Sequence, residues 1–130
     1  MYENPFLRPT YWESKFAEPF THAFSTFLDA RKSGNFALPT INRDIYCLNR
    51  FSEYLAISKV ESFQDISGEL VVGFIKWLSQ KTGLPTVKGA ASTLRLLFKF
   101  LDGERYTICD FSTAIPKVHV HMRGAGVVIP

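Results

Sequence analysis

Apolar residues recur in four stretches at the 3.6-residue spacing of one-sided helices, each with start and stop signals of its own. In the first, Phe20, Phe24, Phe27 and Leu28 share a face. Thr21 is placed to cap it, and Gly34 stands where a left-handed residue often ends a helix. The second opens at Pro39-Thr40 with Thr40 as cap. It carries Ile41, Ile45, Leu48 and Leu55 as a stripe with Phe51 alongside, and runs to about Ile57. The third has Ser67 as cap, with Ile66 able to close on Val71 as a hydrophobic staple. Leu70, Phe74, Trp77 and Leu78 face inward, and Gly83 closes it. The fourth has Thr86 as cap, an apolar side of Val87, Ala90, Leu94, Leu97, Phe98 and Leu101, and Gly103 as its stop. Pro85 makes the joint before it short and stiff. No alternating strand pattern competes, so residues 21–103 predict an all-α fold, a compact bundle of four main helices.

The flanks follow other rules. Residues 1–20 read as an N-terminal extension. A short extra helix over Thr10–Glu18, stopped by Pro19, would pack Trp12 and Phe16 on the bundle. Residues 104–130 lose the helical period and read as an irregular C-terminal tail, a connector that runs out at Gly124, Gly126 and Pro130.

Composition narrows the class. The 130 residues are the length of one domain, and 46% apolar with 21% charged excludes a disordered chain. No apolar run approaches the ~20 residues of a membrane helix, and MYENPFLRPTYWES holds no apolar signal-peptide core. A cytoplasmic protein without a membrane partner is expected, with Cys47 and Cys109 as reduced thiols. The net charge of +3 permits an anionic partner without demanding one, so the placement of charge decides more than its sum.

That placement is most pointed on the fourth helix. At 100° per residue, Lys88, Ser92, Arg95 and Lys99 fall in a stripe about 60° wide, away from the apolar arc. Three cations and a hydroxyl then project along about 17 Å of helix, a length that suits the DNA major groove and its bordering phosphates. On the second helix, Asn42, Arg43, Tyr46, Asn49, Arg50 and Glu53 occupy the arc opposite Ile41, Ile45 and Leu48. Amides beside guanidinium groups are the mixture that base edges and phosphates select. Either face alone also fits an ordinary solvated helix surface.

Little else carries chemistry. His119 and His121 alternate with Val118 and Val120, but no acid or thiol is placed to complete a metal site, so no metal or other cofactor is expected. Cys47 has no histidine beside it to make a nucleophile, and His22 reads as structural. No phosphate-binding glycine loop and no paired-carboxylate pattern occurs, so neither a small-molecule substrate nor an active site is expected.

In order and spacing, the segment Phe24–Leu101 resembles the N-terminal core-binding domain of tyrosine recombinases, the phage-integrase family. Phe27-Leu28 ends a first helix. Thr40, Tyr46, Leu48, Phe51 and Tyr54-Leu55 follow the family's "T…Y…L..F..YL" helix. Ile66-Ser67 before Phe74-Ile75 and Leu78 is similar to its "I(S/T)…FI..L" element. Thr86, Leu94-Arg95, Leu97-Phe98 and Phe100-Leu101 are similar to its closing "T…LR.FF.FL" helix.

The resemblance implies a SAM-like bundle whose second and fourth helices enter the major groove of double-stranded DNA. Lys88, Ser92, Arg95, Lys99, Asn42, Arg43, Tyr46, Asn49 and Arg50 would then meet phosphates and bases. Residues 104–130 would lead to a C-terminal catalytic domain of the same protein, absent from this chain, which performs the DNA transesterification of integration and excision. Other recombinase protomers on the DNA would be the remaining partners. No catalytic residue of that domain is recognisable here, so the chain itself is expected not to be an enzyme. The alternative on the same fold is a SAM-like helical protein–protein interaction module without DNA binding.

Overall fold

A computed structural model describes Phe16 and residues 18–116. Among the described residues every regular element is helical, and four α-helices carry the chain, as the periodicity predicts. They are α1 (Thr21–Ser33), α2 (Leu38–Ile57), α3 (Gly68–Ser79) and α4 (Leu84–Gly103), with 3₁₀ turns at Phe63–Asp65 and Phe111–Ala114. None of these helices is long and apolar enough to cross a membrane. The chain divides into two compact units between Phe63 and Gln64. The proposed N-terminal helix lies largely outside the described residues, as do Trp12, His119 and His121.

The first unit is the α1–α2 hairpin. Phe20 just before α1 and Phe24, Phe27 and Leu28 within it are buried, as are Ile41, Ile45, Leu48, Phe51 and Leu55 of α2. The Phe24 ring lies 6.2 Å from Phe51, and Phe20 meets Phe63 edge-on at 4.9 Å. Thr21 is not the cap of α1. Phe20 already has helical backbone angles, and the Thr21 hydroxyl instead donates to the Phe16 carbonyl at 2.9 Å.

Helix α1 also ends differently from expectation. Gly34 has φ −78°, and Asn35 takes the left-handed turn at φ 65°. Gly34 is small for a steric reason: a Cβ there would collide with the Phe36 ring.

The second unit is the α3–α4 hairpin with the turn that follows it. Ser67 caps α3 as expected, its Oγ accepting from the Leu70 amide at 3.2 Å, with Ile66 and Val71 both buried. The inward face comprises Val71, Phe74, Ile75 and Leu78, whereas Leu70 and Trp77 are partly exposed. On α4, Val87, Ala90, Leu94, Leu97, Phe98 and Leu101 are all buried. Full burial of the four largest contributes roughly 6–12 kcal/mol before conformational entropy is subtracted.

Helices α2 and α4 open alike, with Leu38-Pro39-Thr40 and Leu84-Pro85-Thr86, and in both the threonine lies inside the helix. The caps are the extended residues Ala37 and Gly83. Proline fits the first turn because the amide it lacks would find no partner within the helix.

The tail is partly ordered. From Glu104 to Pro116 the chain folds back on the second unit, with Phe111 edge-on to Phe98 at 5.9 Å and Ile115 buried. Asp110 caps the 3₁₀ turn, its Oδ1 accepting from the Ser112 amide at 2.8 Å. Residues 104–116, the described part of the segment expected as a linker, are thus packed against α3 and α4, and the described residues end at Pro116. Two apolar anchors four residues apart are too short a pattern to stand out as a period.

Candidate nucleic-acid interface

On α4 the four predicted residues separate into two kinds. Lys88, Ser92 and Lys99 are exposed, and the Ser92 hydroxyl donates to the Lys88 carbonyl at 3.2 Å. Arg95 is half-buried, and its Nη2 donates to the Pro116 carbonyl at 3.1 Å. Lys99 stands 4.0 Å from Asp110 Oδ2. The Asp110 carboxyl lies below the usual carboxylate range because the Ser112 hydroxyl and amide hydrogen-bond it, with Lys99 a smaller influence. The folded-back segment thus engages Arg95 and Lys99, while no described carboxylate lies within ion-pair distance of Lys88.

The α2 set is corrected by burial. Asn42 is 1% exposed and Tyr46 9%, so neither presents a side chain on a solvent-facing arc. Arg43, Asn49 and Arg50 are half-buried. The Arg43 Nε is shielded from solvent and lacks a hydrogen-bond partner. Arg50 Nη1 sits 2.8 Å from Glu53 Oε1, and its guanidinium lies 5.3 Å from the Tyr46 ring. Hydrogen bonds to Tyr46 and then Glu53 hold that guanidinium even more firmly charged than usual. The helical wheel presumed a single buried stripe, whereas α2 is buried over a wider arc that includes Asp44, Cys47 and Ser52. Cys47 is fully buried, and desolvation, with Asp44 adding to it, pushes its thiol far above the ordinary range.

Two exposed cations within residues 70–101 were missed. Lys76 ends the charged side of α3, and Lys81 lies in the α3–α4 turn with its Nζ 5.0 Å from the Trp77 ring. The signal was present in the sequence: residues 70–101 contain Lys76, Lys81, Lys88, Arg95 and Lys99 and no Asp or Glu. A net charge hides it, because the nearest acids, Glu61, Asp65, Glu69 and Asp102, all fall just outside that stretch.

No protein-family model matches the chain, and no curated protein or solved structure matches it either.

Proposed function

We propose that this chain is a DNA-binding module of a site-specific recombinase of the tyrosine type, whose catalytic domain lies outside the chain. The observation that supports it is the acid-free stretch 70–101, from which α4 exposes Lys88, Ser92 and Lys99 along one side. Such a surface attracts phosphates, and cations spaced along a helix suit a groove with phosphates on both rims. The half-buried α2 residues play a smaller part in this reading than the resemblance alone implies. Arg50 is already paired, and Asn42 and Tyr46 are enclosed.

Anisotropy titration of a labelled duplex at several salt concentrations tests the proposal. Neutralising about four phosphates gives a slope of log K against log salt near −3.6. A flat response, or no binding at low salt, overturns it. One observation favours a protein partner instead: Leu96, 41% exposed, lies beside Ser92 and Lys99 on α4. The K88E/K99E variant separates the two readings. Under DNA binding the duplex is released while the helical fold persists; under protein binding the duplex was never held.

A further inference from the structure

The second unit separates its charges along its length. The four-residue connection Gln80–Gly83 turns the chain back on itself, so α3 runs back along the first part of α4, and the longer α4 continues about 12 Å past the start of α3. Asp102 lies at the far end of α4, followed in sequence by Glu104 and Asp110, while Glu69 opens α3 and lines one concavity with Lys76. Lys76, Lys81 and Lys88 lie towards the turn, and no acid occurs from residue 70 to residue 101. Along α4, Lys88 and Asp102 are about 21 Å apart. That is more than two Debye lengths at physiological salt, so Asp102 does little to the field at Lys88. Lys99 is in the opposite situation, with Asp102 one turn away and Asp110 Oδ2 at 4.0 Å. Lys81 is held over the Trp77 ring, which places its ammonium without neutralising it.

We infer that the phosphate grip of this module is centred on the α3–α4 turn, in Lys76, Lys81 and Lys88, rather than spread along the whole of α4. The inference rests on the DNA-binding reading and assigns two residues that the helical wheel of α4 does not contain. Lys99 contributes least, because a phosphate there displaces or repels a carboxylate already in place.

The test compares duplex anisotropy of the 130-residue chain with that of K76Q/K81Q, K88Q and K99Q, with circular dichroism confirming that each variant folds. Each phosphate contact is worth about 0.9 log unit of affinity between 1 M and 0.1 M salt. K76Q/K81Q is expected to weaken binding at 0.1 M roughly ten- to hundred-fold and to flatten the salt slope by about 1.8. K88Q loses about half as much on the logarithmic scale, and K99Q changes affinity less than about two-fold. Binding that survives K76Q/K81Q and K88Q but falls with K99Q overturns the turn-centred grip and leaves DNA binding standing. A wild-type chain that binds no duplex at low salt overturns both.

Discussion

The Arg31 guanidinium crosses from α1 to a carboxylate inside α2, its Nε 2.8 Å from Asp44 Oδ2, with side-chain exposures of 14% and 0%. The same guanidinium lies 4.2 Å from the Phe36 ring, so the charge is held from two sides. A buried carboxylate without its cation is costly, and the loss of one partner should exceed the net worth of the pair. R31A is therefore expected to destabilise the fold by about 3–5 kcal/mol, whereas R31M/D44L, which removes both charges, should lose much less. Urea unfolding of the two variants measures the difference. Equal losses would show that the pair acts through packing alone.

The two thiols should behave as different chemical species. Cys47 is buried and its thiol is held protonated by desolvation, while Cys109 is exposed on the loop after α4. Under native conditions a thiol-specific reagent at neutral pH is expected to modify Cys109 promptly and Cys47 only as the fold opens. Mass spectrometry of the partly labelled protein reads the two sites separately. Comparable rates at both would mean that the first unit opens far more readily than its buried core suggests.

Helix ends offer a stabilising prediction. After α2, the Lys59 amide bonds to Ala56 and the Val60 amide to Leu55; after α4, Arg105 bonds to Asp102 and Tyr106 to Leu101. Both are Schellman turns, with Lys59 at φ 59° and Arg105 at φ 63° in the position glycine favours. K59G and R105G should each raise stability by about 0.5–1 kcal/mol, since relief of the left-handed strain exceeds the entropy glycine adds to the unfolded chain. G34A should do the reverse, because the Phe36 ring occupies the space of a Cβ. Thermal melts of the three variants check both signs.

The sequence made the helices legible because burial imposes a period. Phe24, Leu48, Phe74 and Phe98 could be assigned to the core from spacing alone, and each is fully buried. Caps were harder to place. Ser67 followed the rule, whereas Thr40 and Thr86 were displaced inward by the proline before them. The α2 polar face failed for a different reason: a wheel gives the direction of Asn42 and Tyr46 but not what covers them. Tertiary pairing was equally invisible, since nothing in the local sequence links Arg95 to the Pro116 carbonyl or Lys99 to Asp110. The positive end of the second unit was readable, but only from the run of residues lacking acids rather than from net charge.

Asp110 gives stability a pH dependence whose sign is fixed. Its carboxyl is lowered first by the Ser112 hydroxyl, then by the Ser112 amide at 2.8 Å, with Lys99 assisting. A folded-state value below the unfolded one means that the unfolded chain binds the extra proton first as pH falls. The stabilisation is therefore fully present above the unfolded carboxylate range, near 3.9, and is lost as pH drops through the folded value. D110N should remove this component, so that wild type and variant differ in unfolding free energy at pH 7 and converge towards pH 2. S112A should move the Asp110 titration, followed by carboxyl NMR, back towards the ordinary range. A wild-type minus D110N difference that stays constant from pH 7 to pH 2 would show that the carboxylate charge does not hold the turn. D110N also bears on Lys99: with that carboxylate removed at neutral pH, the cost of K99Q for duplex binding should rise, because Lys99 then meets phosphate without a competitor 4.0 Å away.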